Sequence, residues 1–99
     1  MSNLTHDSVE AFMNSVRFKK ANMKVDVLDN VTILRLHGNA IEYLYNDPDH
    51  TLSISNCGWF SKTTKERLNA IPGVFIKQKN FDWYLNGVKW DGNLVDVKL

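Results

Sequence analysis

The sequence predicts an α+β protein: an antiparallel sheet of about five to seven short strands, an N-terminal helix, and a short helix inserted after the third or fourth strand. Three observations predict it. Apolar residues recur at helical spacing near the start, at Val9, Phe12, Met13 and Val16. From Met23 the period changes to two, in short runs that end at Gly, Asn, Asp or Pro. One interruption, between Ser61 and Gly73, carries the cap and stop residues of a helix of about two to three turns.

Asp7 with Glu10 three residues on fits a capping box that opens the first helix. Arg17, Lys19 and Lys20 fall where that helix should end and suit the negative end of its dipole. Met23, Val25 and Val27 alternate with Lys24 and Asp26 as a strand, closed by Asp29-Asn30. Residues 32–37 and 40–45 read as a hairpin around Gly38-Asn39, a pair suited to positive φ, and Asn46-Asp47-Pro48-Asp49 turns the chain again. In residues 51–55, Leu52 and Ile54 alternate inward and the hydroxyls outward. Thr63 with Glu66 forms a second capping box, Ser61 is a competing cap, and Pro72-Gly73 stops the helix. Strands resume at 74–78 and, after a turn near Asn80, at 81–85; Asn86-Gly87, the strongest hairpin signal in the chain, leads into 88–90, and Asp91-Gly92 into 94–99. No repeat, linker or low-complexity stretch interrupts this order, so residues 1–99 are expected to form a single domain.

Composition narrows the function. The 99 residues are 43% apolar, 11% aromatic and 23% charged, as in a folded domain rather than a disordered one. Twelve Lys and Arg against eleven Asp and Glu leave a net charge of +1, so no global field announces a nucleic-acid or membrane partner. One cysteine excludes an internal disulfide and a four-cysteine zinc site, which points to a reducing compartment. The first residues have no basic region followed by an apolar one, and no apolar run approaches the roughly 20 residues that span a bilayer. A cytoplasmic protein without a membrane partner is expected.

No catalytic constellation assembles from spacing. His6, His37 and His50 share no metal-ligand spacing, and Asp47-Pro48-Asp49-His50 lacks the ligand count of a calcium loop, so these acids read as turn-formers. The five glycines are scattered singly and make no phosphate loop. Cys57 has no histidine near it in sequence and reads as a small buried hydrophobe at a strand end. Neither a catalytic residue, a metal nor a cofactor is assigned, and the chain is expected not to be an enzyme; an activity at Cys57 or a histidine ranks third among the readings.

The candidate binding residues are Trp59, Lys62, Thr63, Thr64, Lys65 and Arg67, extended by Lys77, Lys79 and Tyr84. Aromatics, hydroxyls and cations there crowd one helix N-terminus, where the dipole disfavours Lys62 and Lys65, and a phosphate or a partner's carboxylate would relieve the conflict. The plainer alternative is a helix whose charges face water while Trp59 and Phe60 plug the core. In the second aromatic group, alternation places Phe81, Trp83 and Leu85 on one packed face with Trp90 beyond the turn, and Tyr84 as the exposed exception.

The words Leu36-His37-Gly38-Asn39-Ala40-Ile41, Gly58-Trp59-Phe60-Ser61-Lys62-Thr63-Thr64-Lys65-Glu66-Arg67-Leu68-Asn69 and Gln78-Lys79-Asn80-Phe81-Asp82-Trp83-Tyr84-Leu85-Asn86-Gly87, with Trp90-Asp91-Gly92, resemble a group of small tailed-bacteriophage proteins. The resemblance spans residues 31–92 and centres on a GW-x-[ST]-x-TTK-x-RLN word. It implies a viral origin and synthesis in the host bacterial cytoplasm, and it carries over no catalytic residue. The leading expectation is a non-enzymatic binding protein, a phage accessory factor that engages a host or viral protein. The alternative is a nucleic-acid-binding protein using the basic and aromatic residues around 59–67 and 77–84, and self-association through an edge strand is a further variant.

Overall fold

The structure, a computed structural model, describes residues 3–97. Helix α1 (Asn3–Met13) precedes five strands, β1 (Phe18–Lys20), β2 (Met23–Val27), β3 (Val31–Leu36), β4 (Asn39–Tyr45) and β5 (Leu52–Ile54). Helix α2 (Lys62–Asn69) follows, then β6 (Ile76–Lys79), β7 (Asp82–Leu85), β8 (Val88–Lys89) and β9 (Val95–Val97). The strands form a six-stranded antiparallel sheet in the order β1-β2-β3-β4-β5-β9 and a three-stranded antiparallel ribbon, β6-β7-β8. The α+β class is the expected one. The strands number nine among the described residues and divide into two sheets, and α2 follows the fifth of them. Lys98 and Leu99, assigned from sequence to the last strand, lie outside the described residues.

The extra strand comes from the residues read as the end of the first helix. At Ser15, φ is 53°, and the amides of Ser15 and Val16 donate to the carbonyls of Phe12 and Ala11 at 3.1 and 2.8 Å. This bonding pattern, with one left-handed residue after the helix, is a Schellman stop. Val16 is therefore exposed rather than part of the apolar stripe, and Lys19 and Lys20 stand on β1 opposite Lys24 and Met23. Asp7 lies inside α1 rather than at its cap, because the helix begins four residues earlier.

Turn chemistry positions the other elements. The β3–β4 turn is His37-Gly38 (φ 51° and 81°), one residue before the expected pair, and Asn86-Gly87 (φ 49° and 86°) turns the ribbon as expected. Two positive φ values in succession match the right-handed twist of hairpin strands. Ser61, not Thr63, caps α2: its Oγ accepts from the Thr64 amide at 3.1 Å. Asp47 holds its own turn, accepting the Thr51 amide at 2.9 Å and the Thr51 hydroxyl at 2.8 Å, bonds that hold its carboxyl below the usual range.

One face of the large sheet is the floor of the core. Register places Val25, Leu34, Glu42, Ile54 and Val95 in one cross-strand row, with Val27, Thr32, Leu44, Leu52 and Val97 in the next. Phe12 and Val9 of α1, Leu68 of α2, Ile71 and Val74 after it, and Ile76, Trp83 and Trp90 of the ribbon region cover this floor. On the opposite face Asp26 accepts from Arg35 Nε at 2.8 Å, and the Tyr43 and Tyr45 rings stack at 6.2 Å. Ser53 points to this opposite face, as expected, but is buried there, because β9 pairs beyond it and its hydroxyl donates to the Asp96 carboxylate.

Glu42 stands in the middle of the floor. Alternation along β4 would bury Ile41 or Glu42 but not both. A bulge that sets Leu34 opposite Glu42 but Arg35 opposite Ala40 leaves Ile41 the extra residue, and both side chains are buried. Neither Glu42 carboxyl oxygen has a hydrogen-bond partner among the described residues, and burial pushes the group well above its ordinary value of 4.5. The folded chain thus keeps a proton that the unfolded chain has already lost.

Stability from this site is greatest below pH 4.5, and it falls as pH rises toward the folded pKa, by up to about 1.4 kcal/mol per pH unit. Urea midpoints measured between about pH 5 and pH 8 are expected to decline for the native chain and to flatten in Glu42→Gln. Glu42→Leu, which fills similar volume without a polar group, is expected to raise stability at neutral pH by about 1–3 kcal/mol. A native midpoint that climbs across this range would contradict a neutral buried Glu42.

Candidate functional site

The loop between β5 and α2 is anchored at both ends. The Asn56 amide donates to the Gly92 carbonyl at 2.9 Å, Asn56 Oδ1 accepts from the Gly58 amide at 2.8 Å, and the Trp59 amide donates to the Asn56 carbonyl at 2.9 Å. Gly92 has φ 87°, and a Cβ there would run into the Asn56 side chain, so this contact requires glycine. Cys57, with φ 54°, donates from Sγ to the Ala40 carbonyl at 3.0 Å. It is exposed, contrary to the buried role expected of it, because the left-handed pair Cys57-Gly58 swings it out of the β5 line.

This anchored loop presents Trp59, which is 60% exposed, and Phe60, which leans edge-on against buried Trp83 at a centroid distance of 5.1 Å. Beside it opens a cleft of about 420 Å³. One wall is the β3–β4 hairpin, through Leu36, His37, Asn39 and Ile41; the other is the start of α2, through Trp59, Ser61, Thr63 and Thr64. The cleft is an apolar floor with a rim of hydroxyl, amide and imidazole groups. Among the described residues no group of three or more His, Cys, Asp or Glu is placed to hold a metal ion.

The sequence-derived site residues separate into three sets. Trp59, Thr63 and Thr64 belong to the cleft, although Thr64 is buried and its hydroxyl shares a 2.9 Å hydrogen bond with Ser61 Oγ. Lys62 and Lys65 flank a shallow groove on α2 with Glu66 and Asn69, and Lys65 Nζ donates to Gln78 Oε1 at 3.2 Å. Lys77, Lys79 and Tyr84 stand on the far side of the ribbon. The cations do not converge on one face, because successive β6 residues point to opposite sides and only Gln78 faces α2.

Arg67 is not a surface residue. It is buried at 8% exposure, where Nη1 donates to Thr5 Oγ1 at 2.5 Å and to Glu66 Oε1, and Nε donates to Met23 Sδ at 3.4 Å. The Thr5 hydroxyl in turn donates to the Glu66 carboxylate at 2.8 Å. This chain of bonds ties α1 to α2 across the core floor.

Sequence reasoning also misplaced Phe81. It sits at the β6–β7 turn with φ 70°, 93% exposed, whereas Trp83 two residues later is buried and Tyr84 is half-buried. The Asn80-Phe81 pair, both with positive φ, is the turn itself, so the alternation that buries Trp83 does not extend back to Phe81. The turn falls near Asn80, where the sequence places it; that Phe81 is part of it rather than of the strand carries no glycine signal.

Among the described residues no helix is long and apolar enough to cross a membrane. In comparison with known proteins, residues 1–97 match the family model described as Kyanoviridae Gp96 protein. No curated protein and no solved structure matches the chain.

Charge substitution at Arg67 therefore tests folding. Arg67→Ala leaves the Thr5 hydroxyl and Glu66 without their common donor, and with Glu66 partly solvated it is expected to cost about 2–3 kcal/mol in urea unfolding. Arg67→Lys is expected to recover only part of this, since one ammonium cannot reproduce the guanidinium fork. A loss under about 0.5 kcal/mol, the range of ordinary surface changes, would contradict the lock.

Proposed function

This chain belongs to the Kyanoviridae Gp96 family, a family of tailed-phage proteins, and from that premise we propose that it is a non-enzymatic binding protein that engages a host or viral protein through the cleft beside Trp59. The observation that carries the reading is the cleft itself, a concavity of about 420 Å³ with a half-exposed tryptophan as one wall. Tryptophan is the residue type most concentrated at binding hot spots, where a large ring is buried against a partner and its polar surroundings exclude water. Here the ring is held by a loop already pinned at Gly92 and Ala40, so little ordering entropy is lost when a partner arrives.

The occupant that fits is a protein surface presenting an apolar side chain beside an acidic residue. Leu36, Ile41 and the Trp59 ring would enclose the apolar group, and Ser61 and Thr63 supply hydroxyls at the rim. Exposed Lys62, next to Ser61 in the chain, attracts the acid. The host bacterial cytoplasm is the setting in which such a phage protein meets its partners.

Trp59→Ala is expected to weaken capture of the partner from infected-host lysate by roughly thirtyfold or more, the loss typical of a hot-spot residue. Lys62→Glu is expected to weaken it further at low salt and less at high salt. Both positions are exposed, so thermal unfolding should shift by no more than about 2 °C relative to the native chain. Retention of the same captured proteins at undiminished yield by Trp59→Ala would overturn the assignment.

A further inference from the structure

We propose that the outer face of the β6-β7-β8 ribbon is a second binding surface, distinct from the cleft, and that its ligand is single-stranded nucleic acid. Between Phe75 and Phe81 the chain exposes more rings and cations than covering the core requires. Phe75, Lys77, Lys79 and Phe81 are all exposed, while between them Ile76 is buried and Gln78 turns toward α2. An exposed ring thus stands at each end of β6, with two cations between them. The register adds a cross-strand row, Lys77 opposite Tyr84 and Tyr84 opposite Lys89, so a half-buried tyrosine lies between two lysines.

Charge complementarity selects the occupant. The face carries three lysines against one acid, Asp82, whose nearest cation is Lys89 at 3.6 Å, and Lys77 and Lys79 form no ion pair among the described residues. Cations in line along a strand suit a polymer with a regularly charged backbone. Flat rings suit bases, because stacking needs only a π-face and accepts any sequence. The Phe81 ring is 93% exposed at a hairpin tip and is held there by φ 70°, a conformation costly for a bulky residue. Strain that serves no packing is a pointer to function. An acidic protein would use the lysines but has no need for two separated, exposed rings.

The test is fluorescence anisotropy with a labelled oligothymidylate of about 12 nucleotides, inside the site-size range of such surfaces, titrated with the full chain across a salt series. Binding at low salt is expected, with log affinity against log salt falling at a slope of about −2 for three phosphates neutralised. Lys77→Gln with Lys79→Gln should reduce that slope to about −0.7. Phe81→Asn should weaken binding about tenfold or more and leave the slope unchanged, because it removes stacking and not charge. Asparagine tolerates the left-handed φ, so this variant keeps the turn, and circular dichroism with thermal unfolding checks that it does. Trp59→Ala, at the cleft, should leave the titration unaltered. No binding at low salt would overturn the proposal, as would binding that the lysine and Phe81 variants leave untouched. Equal affinity for polyglutamate, insensitive to Phe81→Asn, would also overturn it and assign the face to acidic proteins.

Discussion

The structure depends on covering one apolar sheet face with very little chain. The six strands present Val25, Leu34, Ile54, Leu52 and Val97 on the same side, and α1, α2 and the ribbon must all reach that side to exclude water from it. Among the described residues the buried apolar side chains of these elements form one cluster, and each covering element is held by a specific tie as well as by packing. Arg67 bonds α2 to Thr5 on α1, Asn69 brackets the Ile76 backbone with both its amide groups, and Asn56 meets the Gly92 backbone. The Arg67 and Asn56 ties join elements distant in sequence, where loop closure is entropically costly and packing alone is weakly directional.

Glu42 runs against this economy. A carboxyl in the middle of the floor, with no partner among the described residues, destabilises the fold relative to an apolar residue of the same size. Its place follows from the β4 bulge, which turns Ile41 and Glu42 inward in succession and also sets Ile41 against the cleft. The same irregularity thus shapes the cleft wall and buries the acid.

What remains after the core is satisfied defines the exposed chemistry. Trp59 and Phe60 occupy a loop whose amides from Asn56 to Trp59 are all hydrogen-bonded, and Phe75 and Phe81 flank a strand whose buried residues are already placed. Each group leaves rings largely exposed, and each stands beside cations. The cleft and the ribbon face lie on different elements and offer different shapes, one concave and one strand-like, and different ligands are proposed for them.

Much of the fold was legible in local sequence. The helical stripe at Val9 and Phe12, the period-two runs, the Asn86-Gly87 hairpin and the cap residues before α2 specify elements through interactions within a few residues, and those the sequence states directly. The site was legible only in part. That Trp59 lines a cleft, that Arg67 turns inward while Lys62 stays out, that Phe81 is a hairpin tip and that the lysines of α2 and those of β6 stand on different faces were all decided by tertiary structure. The physical reason is the same in each case. Which side of a short helix or strand meets the core depends on partners some tens of residues away, such as Thr5 for Arg67, and no local spacing encodes them.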